Sequence, residues 1–224
     1  MIPRLHLVTS EAILADEGFE AGARALLERG GPRLALHLRA PGSGGGLLLE
    51  RARALAAPAR RAGATLALND RVDVALLAGI ETVQLPGHGL PVSVARELIG
   101  PAARVGRSVH EPSEAARLRG AERPDFALVG TIHPTPSHPG RRGRGPAHLA
   151  RIAEAAPGLP LVAIGGITPD RVEGVMAAGA HGVAVLGGVW TAPEPVAALE
   201  AFLTRIEGCL PATSGAQAGG GTRG

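Results

Sequence analysis

The chain has 224 residues, 45% of them hydrophobic, which suits one domain around one sizeable core. All 23 residues in the Lys+Arg count are Arg, which excludes a side-chain Schiff base and a P-loop Gly-Lys pair, while a lone Cys209 excludes a disulfide framework or a cysteine metal cluster. A formal charge of +3 with 2% aromatic residues speaks against a nucleic-acid partner; with no apolar run of about 20 residues and no basic leader, no membrane partner and a cytoplasmic location are expected.

Leu5-His6-Leu7-Val8-Thr9 reads as a first strand, and a helical pattern follows from about Phe19 to Glu28, closed by Gly30-Gly31. Leu34 to Arg39 is a second strand whose alternation sets Leu34, Leu36 and Leu38 on one face and His37 and Arg39 on the other. A Gly/Ser loop leads to a helix from Leu47 to Arg61, which Pro58 is expected to kink or shorten. Strands at Thr65–Leu68, Ile80–Leu85, Arg104–Ser108 and Asp125–Gly130 then alternate with helices at Asp70–Leu77, Pro91–Leu98, Glu111–Arg119 and Pro146–Ala155. Two more strands, Leu161–Ile164 and Gly182–Leu186, flank a helix with Thr168 as its N-cap, and Pro195–Ile206 is the last helix. Eight strands alternating with helices predict an α/β fold, a single (β/α)8 TIM barrel over residues 1–208, with residues 209–224 as a disordered tail.

Chemistry in such a barrel sits at the C-terminal ends of the strands. The polar residues there are Arg39, Asn69, Asp70, Gln84, Ser108, His110, Thr131, His133, Thr135 and His138. Arg39 reads as functional because a lone guanidinium is costly to bury without an anion. Asp70 either caps its helix or serves a metal or substrate, and Ser108 is either a cap or a ligand. His133 and His138 fall in a loop, where core packing explains them poorly. Gly165-Gly166 and Gly187-Gly188 end two adjacent strands, each before a helix. Their exposed N–H groups form a phosphate cradle; the competing reading is that they only make tight turns.

The strings Leu38-Arg39, Asn69-Asp70-Arg71-Val72-Asp73, Gly106-Arg107-Ser108-Val109-His110, Val129 to Gly140, Ala163 to Ile167 and Gly182 to Val185 together resemble the family of thiamine phosphate synthase and its TenI-like relatives, the thiazole tautomerases. The resemblance runs from Leu5 to about Ile206. It implies thiamine biosynthesis, with a thiazole phosphate held by Gly165, Gly166, Gly187 and Gly188, and with Arg39, Asn69, Ser108 and Thr135 around the substrates. Asp70 matches a magnesium-ligand position of the synthase. Three departures bear on the activity. The synthase pattern Leu-Arg-x-Lys is here Leu38-Arg39-Ala40-Pro41; its Gly-Gln-x-Asp run, with a second magnesium ligand, is here Pro86-Gly87-His88-Gly89; its Thr-x-Thr-Lys is here Thr135-Pro136-Ser137-His138.

Because leaving-group charge must be neutralised, losing two lysines and a carboxylate favours the TenI-like reading: a thiazole tautomerase, an isomerase needing no cofactor. Its acid/base is then His133 with His138 as substitute, Arg39 meets the substrate carboxylate, and Thr131 stands where that subfamily carries its own histidine. The alternative is thiamine phosphate synthase, a transferase coupling hydroxymethylpyrimidine diphosphate to thiazole phosphate with release of pyrophosphate, using Mg2+ at Asp70. A second alternative is a non-catalytic protein that binds thiazole phosphate. A homo-oligomer is left open.

Overall fold

Short runs rich in Leu, Val, Ala and Ile are too short for helices and suit strands buried on both faces. The computed structural model describes residues 1–42, 44–136, 140 and 142–211. In it eight parallel strands, β1 (Leu5–Val8), β2 (Leu34–Leu38), β3 (Thr65–Asn69), β4 (Thr82–Leu85), β5 (Arg104–Val109), β6 (Phe126–Gly130), β7 (Leu161–Ile164) and β8 (Gly182–Val185), pair in chain order, and β8 closes on β1. This is the (β/α)8 TIM barrel, with the expected strands shifted by no more than two residues at either end.

Strand alternation divides the side chains between two cores. Leu5 and Leu7 of β1, and Leu34, Leu36 and Leu38 of β2, join the large outer cluster under the helices. Val8, Phe126, Leu128, Val162 and Ala184 form a separate cluster inside the barrel. His6, His37 and Gln84 are also buried. Gly106 of β5 is required here: a Cβ at that position would overlap Phe126 and the Gln84 carboxamide oxygen.

Several helices depart from expectation, each for a local reason. The helix spanning Pro58 runs unbroken from Gly45 to Ala62. Pro58 lies near its last turn, so little of the hydrogen-bond ladder is lost, and its ring is buried. The helix expected over Glu111–Arg119 is only Pro112–Ala115. Beyond it the chain turns so that the Glu122 carboxylate accepts from the N–H groups of Val92 (2.9 Å) and Ser93 (3.3 Å), capping the helix Val92–Ile99. Thr168 does not cap with its side chain. Pro169–Arg171 closes as a 3-10 turn whose Arg171 N–H donates to the Thr168 carbonyl at 2.9 Å, so the backbone has already taken that donor.

After β6 the chain makes a long excursion whose base is zipped shut. Arg144 N–H donates to Thr131 O at 3.0 Å and Gly145 N–H to Ile132 O at 2.9 Å. On the other side Ile132 and His133 donate to the carbonyls of Ile164 and Gly165, each at 2.9 Å. The expected disordered tail lies outside the described residues from 212 onward. Among the described residues no helix is long and apolar enough to cross a membrane.

Candidate active site

Four neighbouring strand ends carry an arc of polar groups around one side of the barrel mouth. Arg39 follows β2, Asn69 ends β3, Gln84 lies in β4 and Ser108 in β5. Asn69 and Gln84 are register partners, and Gln84 Nε2 donates to Ser108 Oγ at 3.2 Å. The Gln84 oxygen is buried and has no hydrogen-bond partner. Arg39 is exposed rather than buried, so the burial argument for its role fails. What stands in its place is fixation of its backbone: Thr9 Oγ1 accepts from Arg39 N–H at 2.8 Å and is close to its carbonyl. No ion pair among the described residues engages its guanidinium.

Asp70 does not cap a helix. The helix that follows is Val72–Ala78, with Arg71 at its N-cap position, and Asp70 sits exposed at φ 66°. This left-handed conformation is tolerated by Asp and Asn better than by other side chains, and it holds the carboxylate at the rim. Arg71 turns away to pair with Asp73 at 2.5 and 2.8 Å, and that hydrogen bond lowers the Asp73 carboxyl to about 2. Loop β4–α is latched by Arg107, which donates to the carbonyls of Gly87 and Leu90, both at 2.7 Å.

Across the mouth, β6, β7 and β8 bring together Thr131, His133 and the glycine pairs. Gly165 and Gly166 both have positive φ, 101° and 60°. A Cβ on Gly165 would come 2.5 Å from Thr131 Cγ2, and one on Gly166 would strike Pro134 O and His133. Turn geometry and close packing therefore both require glycine there. Gly187 and Gly188 instead open the four-residue helix Gly187–Trp190, whose first internal bonds run from Val189 and Trp190 to Leu186 O. Their own N–H groups are thus those of a first turn, which has no intrahelical acceptor. Gly187 has only Thr191 Oγ1 near its Cβ position, at 3.7 Å, so the space before it is open.

His133 is partly buried, and desolvation, then the Arg171 guanidinium, lower its pKa below the ordinary 6.5. Thr135 is partly exposed on the same loop. His138 lies outside the described residues. His110 places Nδ1 3.0 Å from Gly130 O, while Arg144 pairs with Glu111 and donates to His110 O, so these groups tie loops together rather than face a ligand. Among the described residues no three His, Cys, Asp or Glu side chains cluster as metal ligands.

A family model described as thiamine monophosphate synthase matches residues 5–189. The chain belongs to that family. The thiamine-phosphate synthase of Mycolicibacterium smegmatis is 43% identical over 152 residues, 68% of this chain and 66% of that relative, so the match spans just under two thirds of its length. The thiamine-phosphate synthase of Salinibacter ruber is 35% identical over 212 residues, 93% of this chain and 91% of the relative. Among solved structures, the thiamine phosphate pyrophosphorylase of Pyrococcus furiosus superposes with a TM-score of 0.79 at 30% identity, covering 93% of this chain and 97% of that one.

These likenesses overturn the tautomerase expectation in favour of the synthase side of the thiamine monophosphate synthase family. The expectation rested on residue types at three places: Pro41 and His138 where lysines were looked for, and Pro86-Gly87-His88-Gly89 where a second carboxylate was looked for. In a chain with no Lys at all, that test reads a compositional habit as a loss of function. It also overlooked Thr9, His6 and His37, whose buried polar side chains are packed beneath the mouth. The alternation of strand two, which separates His37 from the leucines, was the signal available for one of them.

Proposed function

We propose that this chain is a thiamine-phosphate synthase, joining a thiazole phosphate to hydroxymethylpyrimidine diphosphate and releasing pyrophosphate. The observation that carries the reading is the 35% identity to a thiamine-phosphate synthase over 93% of this chain and 91% of that relative.

The residues divide the work by charge and shape. The N–H groups of Gly187 and Gly188, with the Gly165-Gly166 turn beside them, receive the thiazole phosphate; the β7 loop reaches them through Ile167, whose carbonyl is 3.9 Å from the Cβ position of Gly188. Arg39, exposed at the opposite strand end and free of ion pairs among the described residues, receives the diphosphate in a two-pronged contact. Asn69, Ser108, Thr131 and Thr135 line the space between these anions, and His133 borders it.

One exposed carboxylate, Asp70, fits a magnesium ion that arrives on the diphosphate and keeps several waters; it does not make a resident all-protein site. When bound, the ion neutralises charge on the departing pyrophosphate. The bond from the pyrimidine methylene carbon to oxygen breaks, its electron pair leaves on pyrophosphate, and the thiazole nitrogen supplies the pair for the new C–N bond. Arg39 stabilises the leaving charge, and the polar arc orients the pyrimidine.

The test is incubation of the purified protein with both substrates and Mg2+, monitored for thiamine phosphate and pyrophosphate. Equimolar formation of the two products supports the reading. Absence of both, with the protein folded and the substrates shown to bind, overturns it.

A further inference from the structure

His6 and His37 lie side by side within the barrel, ring centroids 5.0 Å apart, against Phe126 at 5.2 and 6.2 Å. Their exposures are 1% and 0%, so no water shares their hydrogen bonds from the surface. A single file of contacts runs through them. Pro3 O is 3.0 Å from His6 Nε2, His6 Nδ1 is 2.9 Å from His37 Nε2, and His37 Nδ1 is 3.0 Å from Asn69 Oδ1 at the mouth.

The protons in this file can be assigned from its closed end. A carbonyl only accepts, so the His6 proton is on Nε2. A neutral imidazole has one N–H, which leaves His6 Nδ1 as an acceptor and obliges His37 to donate from Nε2. His37 Nδ1 is then bare and requires a donor. The group within reach is the Asn69 amide; with Oδ1 inward the contact would join two acceptors, so the proton assignment requires the half-turn about its last bond that exchanges oxygen and NH2. Letting His37 donate to the amide oxygen instead would require one more proton in the pair. Burial opposes that proton: desolvation lowers both rings below the ordinary 6.5, His37 to about 4.

We infer that the buried His6–His37 pair locks the Asn69 amide with its NH2 turned inward, so that its oxygen faces the mouth as a fixed hydrogen-bond acceptor for an N–H or O–H group of the substrate. His6 and His37 are positioning residues: they act on the ligand only through Asn69. An unlocked amide could offer either end, whereas a locked one discriminates, because a substrate atom that cannot donate leaves a polar group unpaired. The proton assignment stands on the file itself; only the identity of the substrate rests on the synthase reading.

Long-range proton–nitrogen NMR on the 15N-labelled protein at neutral pH reads the tautomers directly. Both rings are expected as neutral Nε2–H forms; an Nδ1–H tautomer or an imidazolium for either one overturns the inference. The kinetic arm uses His37→Leu, His6→Leu and His37→Gln. Gln can accept from the Asn69 NH2 and donate to His6 Nδ1, so it rebuilds the file, whereas Leu breaks it. The Leu variants are expected to lose about tenfold in kcat/KM for the substrate facing Asn69, and His37→Gln to recover most of that loss. A folded His37→Leu protein with unchanged kcat/KM, or His37→Gln falling as far as His37→Leu, overturns the positioning role. If the Leu variants do not fold, the wild-type tautomers still decide. If the wild-type protein forms no thiamine phosphate, the synthase reading fails while the tautomer measurement continues to test the lock.

Discussion

Thr9 holds Arg39 by both of its backbone groups: the hydroxyl accepts from Arg39 N–H at 2.8 Å and donates to Arg39 O at 3.2 Å, across 30 residues of sequence. Thr9 is fully buried, so nothing replaces it if the oxygen is removed. Thr9→Val keeps the shape and deletes the hydroxyl. The Arg39 N–H is then left without an acceptor, and equilibrium urea unfolding is expected to show a loss of about 1–3 kcal/mol, with Thr9→Ser close to wild type. Equal stability of all three proteins would show that the clamp contributes nothing.

The glycines should separate into two kinds under alanine substitution. Gly165→Ala forces φ of +101° on a residue with a Cβ and drives that Cβ to 2.5 Å from Thr131, so a stability loss of about 2 kcal/mol or more is expected in thermal unfolding. Gly187→Ala places its methyl in open space within a helical turn and should leave stability unchanged or slightly higher. If that space is where the phosphate arrives, calorimetric Kd for thiazole phosphate should rise about tenfold. Wild-type affinity in Gly187→Ala would mean that the glycine serves the turn alone.

Stability should depend on pH through the buried histidines, with a sign that follows from their lowered pKa values. Below 6.5 the unfolded chain takes up protons on His6 and His37, whereas folded His37 does so only near 4. Stability is therefore complete above 6.5 and declines as pH falls toward 4, by about 3 kcal/mol for His37 alone. The carboxyls held below their usual range, Asp73, Glu111, Glu122 and Asp170, begin to act only as pH falls through their ordinary values of about 4 to 4.5, at the acid end of that interval. Urea midpoints measured across that interval should flatten in His37→Gln, and an unchanged slope would assign the effect to other groups.

Asp70→Asn isolates charge from backbone, since Asn also accepts φ near +66°. The variant should fold as the parent does but need about tenfold more Mg2+ for half-maximal synthesis. Initial rates across a magnesium series measure this directly. An unchanged half-saturation would place the ion away from Asp70.

The barrel was legible because its signals are local and repeated. Runs such as Leu161–Ile164 and Thr65–Leu68, each ended by a Gly or Asn turn, mark strands whatever their neighbours do. The mouth followed from topology, since strand ends fix where Arg39, Asn69 and Ser108 must gather. What could not be read were relationships made only by closure of the sheet. His6 looked like one residue of a first strand, and only the pairing of β1 with β2 sets it against His37. The Asp70 conformation and the Glu122 cap on a neighbouring helix are likewise set by tertiary contacts that outweigh local preference. The choice between two activities failed for a different reason: it rested on residue types at three loop positions, and two of those were lysines looked for in a chain whose cations are all Arg.

The zipped base of the excursion after β6 has an evolutionary consequence. Thr131 and Ile132 are bonded to Arg144 and Gly145, and Ile132 and His133 to β7, so strain or length change beyond Pro134 stops at that seam before it reaches the sheet. Lengthening such a closed loop costs little, since the closure entropy grows only with the logarithm of its length. Insertions and deletions beyond Thr135 should therefore be absorbed at the seam in descendants of this chain, letting the loop be retuned to a different ligand while Thr131 and the strand ends keep their places.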